Sequence, residues 1–122
     1  MRICLFKTGA CTLNEFGMPY GPLETNTDAE VWRLPREIVD WIFAGGYDIL
    51  MPWLLEINEA CETDLDLGEP DYFDAEACGV LIRILDRVSA TQTSPMLAVL
   101  IAKVKELANK GVELGYGILV VM

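Results

Sequence analysis

Apolar positions along this chain fall into a few runs of clear period. Leu97, Leu100, Ile101, Val104, Leu107 and Ala108 recur at +3, +4, +7, +10 and +11, the single stripe of an amphipathic helix. Ser94 and Pro95 suit the cap and first position of that helix. Lys103, Lys105 and Lys110 lie toward its carbonyl end, and Gly111 is the expected stop. Residues 117–122 are then apolar without alternation, the pattern of a strand covered on both faces. Residues 3–6 read as a short buried strand and its natural neighbour, with the relative direction left open.

Between these ends the periods are broken. Residues 7–27 carry Gly9, Gly17, Pro19, Gly21 and Pro22 with no sustained repeat, which predicts a long loop, with weak support for a short hairpin around residues 12–16. Asp28 opens a helical stretch, read as a turn or short helix over residues 29–33, which Pro35 interrupts. A helix is expected from Pro35 to Ala44, stopped by Gly45 and Gly46. Asp48 is placed to cap the next one, with Pro52 tolerable in the first turn and Leu50, Trp53, Leu54, Ile57, Ala60 and Cys61 as its buried stripe. Residues 62–74 read as a loop from Gly68 and the Glu69-Pro70 pair. Asp74 is placed to cap a further helix, with Phe73 and Cys78 as a hydrophobic staple and Ala77, Leu81, Ile84, Leu85 and Val88 as its core face. The order predicts one α+β domain over residues 1–122, predominantly helical, with a small sheet formed by the N- and C-terminal strands.

Composition alters this picture in two ways. The 122 residues are 52% hydrophobic, so either the core is unusually complete or some apolar surface is covered by a partner. The net charge is −10, from 19 acidic and 9 basic side chains, and there is no histidine. Such a charge repels nucleic-acid phosphate and anionic lipid and attracts cationic proteins. No apolar run reaches the roughly 20 residues of a membrane span, the longest candidate being broken at Pro52, and no signal peptide opens the chain. Cys4, Cys11, Cys61 and Cys78 therefore read as free thiols of a cytoplasmic protein.

The sharpest feature is charge segregation. Between Glu37 and Ile82 there are twelve acidic side chains and no Lys or Arg, and seven of the twelve (Glu62, Asp64, Asp66, Glu69, Asp71, Asp74 and Glu76) fall within fifteen residues. The bland account is a solvated loop with helix caps. The functional account is a docking face for a cationic partner, in which Leu65, Leu67, Tyr72 and Phe73 supply anchors among the carboxylates. An EF-hand does not fit, because from Asp64 the fifth ligand position is Gly68 and the twelfth is Ala75. No zinc spacing is present, so no metal or cofactor is expected. Cys11 has only Lys7 nearby to depress its pKa, and an enzyme is disfavoured. Gly115 and Gly117 read as the turn of an αβ connection rather than a nucleotide loop, which would open a helix.

In size, acidity and architecture the chain resembles the small acidic immunity proteins of bacterial contact-dependent and other polymorphic-toxin systems. That resemblance rests on no motif and carries over no binding position. It implies a cytoplasmic inhibitor that binds a cognate basic toxin domain, often a nuclease, and occludes its active site without touching nucleic acid or membrane. The alternatives are a self-associating structural or accessory protein, whose apolar surface is buried in a homo-oligomer, and a small enzyme using Cys11 or a carboxylate pair.

Overall fold

The computed structural model describes residues 1–6, 29–66, 70–91, 94–115 and 117–121. Their elements are β1 (Arg2–Phe6), β2 (Ala29–Arg33), α1 (Arg36–Trp41), a π-helical turn (Ile42–Gly46), α2 (Tyr47–Cys61), β3 (Pro70–Phe73), α3 (Ala75–Thr91), α4 (Pro95–Leu114) and β4 (Ile118–Val121). The strands form one antiparallel sheet in the order β2-β1-β4-β3. The α+β class expected from the sequence is therefore what the chain adopts, mostly helical with both terminal strands in a small sheet.

β1 and β4 are the two central strands, running antiparallel with Ile3 opposite Val120 and Leu5 opposite Ile118. Alternation sends Ile3, Leu5, Ile118 and Phe73 into the helical core and Cys4 and Leu119 to the other face. All six are buried, which explains why β1 and the start of β4 are apolar at consecutive positions.

Two strands depart from the sequence expectation. Residues 29–33 are an edge strand and not a turn or short helix. Five residues ahead of a proline are too few to nucleate a stable helix, whereas β1 offers them five paired positions, from Arg2 opposite Arg33 to Phe6 opposite Ala29. Within the expected 62–74 loop, β3 lines the opposite edge of the sheet against β4. Pro70 stands at its first position, where an edge strand tolerates the missing N–H.

The helical layer follows its stripes closely. Leu50, Ile57, Leu81, Ile84, Leu85, Val88, Leu97, Ile101, Leu107 and Ala108 are buried together, while Ala60, expected to be inward, is exposed. Asp74 does cap α3: its Oδ1 accepts the Ala77 N–H at 2.8 Å. Phe73 and Cys78 are wholly buried across that cap, and the thiol donates to the Phe73 carbonyl at 3.6 Å. At α4, Ser94 takes the N-cap position and its carbonyl accepts the Ala98 N–H at 3.0 Å.

Of the predicted helix ends, the one at Gly45 is in place and the one at Gly111 is not. Ala44 (φ −92°, ψ 21°) and Gly45 (φ 111°) leave helical geometry and kink the chain between α1 and α2. Gly46 is required there by close approach, since a Cβ would lie 2.6 Å from the Trp41 ring. Asp48 then sits inside the first turn of α2 and is not its cap. Gly111, by contrast, is buried within α4, which continues to Leu114 and ends at Gly115 in the left-handed conformation (φ 73°). The αβ turn expected at Gly115 is thus in place. Lys103, Lys105 and Lys110 lie too far from the new end to cap it; they pair with Glu106 at 2.9 Å, with Asp86, and with Glu30 at 3.6 Å.

Candidate docking surface

The acidic segment is a built structure. α2 ends at Glu62 in the left-handed region (φ 55°), which turns the chain back along the helix. Asn58 braces the return: its Oδ1 accepts the Leu65 N–H at 2.7 Å and the Thr63 hydroxyl at 3.0 Å, and its Nδ2 donates to the Leu65 carbonyl at 3.0 Å. Leu65 is thereby pinned into the core. Next along, Asp66 Oδ1 accepts the Tyr47 hydroxyl at 2.6 Å, tying the segment to the start of α2. That bond favours the neutral phenol and raises the pKa of Tyr47. Asp71 accepts the Asp64 N–H with one oxygen and the Tyr72 N–H, at 2.9 Å, with the other.

These bonds sort the residues the sequence singled out. Asp66, Asp71 and Asp74 hold backbone or the Tyr47 hydroxyl, so part of the acidity is architectural. Phe73 corrects the sequence expectation outright: it is 0% exposed and a central core residue, so it offers no anchor to a partner. The Tyr72 ring lies over Gly117, where a Cβ would come within 2.7 Å of it, and is half-buried. Glu62, Asp64 and Glu76 are exposed. Glu69 and Leu67 lie outside the described residues, as do the 7–27 stretch and Cys11.

Exposed apolar side chains lie elsewhere, at the kink and along α2. Phe43 is 68% exposed and Leu55 62%, with Ile49 and Met51 also exposed. Asp48, Met51, Leu55, Glu59 and Glu62 follow one another at spacings of three or four, so they share one exposed face. Met51 and Leu55 thus lie in a row with carboxylates that leads into the acidic segment. Among the described residues, Arg36 pairs with Asp40 at 3.8 Å and Arg87 with Glu56, both at the margins. No Lys or Arg among them pairs with Asp48, Glu59, Glu62, Asp64 or Glu76. Among the described residues no cation compensates the negative potential of these five side chains.

Helical geometry is broken at Ala44 and Gly45, between α1 and α2. Arg36–Cys61, at 26 residues, is long and apolar enough by length and composition to cross a membrane, which no uninterrupted run in the sequence suggested. Its inner face, however, builds the core through Ile38, Ile42, Leu50 and Ile57.

Cys61 and Cys78 are free thiols without activation. Burial, foremost, pushes Cys78 up to about 11, and burial followed by the Asp74 charge raises Cys61. Both stay protonated at neutral pH and are poor nucleophiles. Among the described residues no three His, Cys, Asp or Glu side chains converge as a metal site.

No protein-family model, no curated protein and no solved structure matches this chain.

Proposed function

We propose that this chain is an acidic protein-binding inhibitor that docks on a cationic partner through the outer face of α2 and the adjoining 62–66 segment. The observation that carries the proposal is the exposed pair Met51 and Leu55, in line with Asp48, Glu59 and Glu62 on one face of α2, in a stretch of sequence without a single basic residue. Aliphatic anchors in a charged frame combine tight seating with fast, steered encounter. The same face disfavours pairing with a second copy of itself, because self-association would bring like charges together. With its size and acidity, this supports a function of the immunity-protein kind: occlusion of a basic toxin domain, the carboxylates standing where a nuclease would hold its phosphate substrate.

The direct test is binding to a basic toxin domain, sought first among the products of neighbouring genes, followed by stopped flow at two ionic strengths. Replacing Asp48, Glu59, Glu62 and Asp64 by Asn or Gln removes steering charge, so association should slow at least tenfold at low salt and lose its salt dependence. Met51→Ser with Leu55→Ser should instead speed dissociation, by about 2 kcal/mol or more if either is a true anchor. An unchanged association rate in the neutralised variant, or a partner that binds the double serine variant as tightly, refutes the proposed surface. A stable homo-oligomer by light scattering, lost in the double serine variant, would favour self-association instead.

A further inference from the structure

The helical layer does not close over the sheet everywhere. α2 leans on α3, and α4 packs on α3 and β1, leaving a wedge between α2 and α4. That wedge is an apolar chamber of about 100 Å³. Trp53 and Leu54 of α2, Leu85 of α3 and Leu100 and Val104 of α4 form its walls, and Val120 lies on the sheet side. Protein interiors hold few voids larger than one water molecule, and an apolar cavity of about 150 Å³ takes up benzene, so this space approaches that of a single small ring. Water does not fill such a space well, because the wall presents no polar surface to it.

We propose that this chamber is a binding site for a small apolar molecule, a hydrocarbon with at most one aromatic ring, carrying no polar group into the interior. Three features favour this occupant. The volume is of that order, and the surface facing the chamber is apolar, Arg2 being the one charged residue in its lining. Trp53, Leu54, Leu100 and Val104 are only partly buried, which gives the chamber a way in between α2 and α4. The site is separate from the acidic outer face of α2 and stands whether or not that face docks a partner.

Toluene and phenol are the discriminating probes, equal in size and differing by one hydroxyl. Titrated into the full chain, toluene should raise the melting temperature and saturably shift the methyl resonances of Leu54, Leu100 and Val104. Phenol should bind at least tenfold more weakly, because its hydroxyl finds no partner in the wall. Val104→Phe places a ring in the chamber and should abolish the toluene response while the melt stays cooperative. Val104→Leu, a smaller filling, should weaken toluene binding and serves if the phenylalanine variant does not fold. No saturable methyl shift in the unmodified chain overturns the proposal whatever the variants do. So does equal affinity for the two probes, or full retention of toluene binding in a folded, filled variant.

Discussion

Gly117→Ala tests the packing that commits Tyr72 to the fold. Gly117 precedes β4, and a methyl group on it would lie 2.0 Å from the Phe73 carbonyl oxygen and 2.7 Å from the Tyr72 Cζ and hydroxyl oxygen. The ring could rotate away, but the carbonyl belongs to β3, which pairs with β4 from Pro70 opposite Val121 to Phe73 opposite Ile118. Relief requires the strands to part by about 1 Å, against a normal spacing of about 4.8 Å. One or two ladder bonds would weaken, at about 1 kcal/mol each, with overpacking strain of about 1–3 kcal/mol in addition. A loss of about 3 kcal/mol is expected from a total of roughly 6–18 kcal/mol for a domain of this size. In a thermal melt that is a drop of about 12 °C. Adding Tyr72→Ala should not restore stability, since the carbonyl contact remains. A Gly117→Ala melt within about 2 °C of the parent, under the same conditions, would show that β3 does not lie against Gly117 as described.

Other perturbations read other parts of the structure. Glu62→Gly should raise stability by about 1 kcal/mol, because glycine adopts the left-handed conformation freely and the change removes an anion from a helix carbonyl end; urea titration measures it. Phe73→Ala should cost about 3–5 kcal/mol by the same titration, the signature of a core ring and not of a surface anchor. The Cys78 thiol titrates at about 11 in the folded chain against 9.0 ordinarily, so the unfolded chain loses that proton first. Stability should be intact below pH 9 and fall by up to about 2 kcal/mol as pH rises toward 11. Cys78→Val should flatten that limb relative to the parent, and an identical pH profile in the two proteins contradicts the assignment.

Much of the fold is written in local signals. The stripe from Leu97 to Ala108, the Asp74 cap and the Phe73–Cys78 staple act within a few residues, and each is found where its pattern places it. The errors arise where a partner distant in sequence decides. Residues 29–33 alternate weakly and become a strand because β1 needs an edge partner; residues 70–73 do the same beside β4. Glycine carried two meanings. At Gly45 a positive φ breaks helical geometry where the pattern placed the end, and at Gly111 the absence of a side chain serves burial inside a helix.

The docking face was partly legible for a related reason. Charge segregation is a property of the sequence, and the exposed positions of Glu62, Asp64 and Glu76 agree with it. What sequence could not assign was which apolar side chains stand among those charges. Tyr72 and Phe73 are neighbours of carboxylates in sequence, but β3 turns Phe73 inward and lays Tyr72 across Gly117. α2 does the reverse. Its inner stripe of Leu50, Trp53, Leu54 and Ile57 accounts for its helical period so well that Ile49, Met51 and Leu55 pass as incidental. Met51 and Leu55 are the informative pair: a helix whose inward face is already apolar has no folding reason to carry aliphatic side chains outward four residues apart. That surplus, set among carboxylates that pair with no Lys or Arg of the described residues, is where a partner of opposite charge would find both its steering field and its foothold.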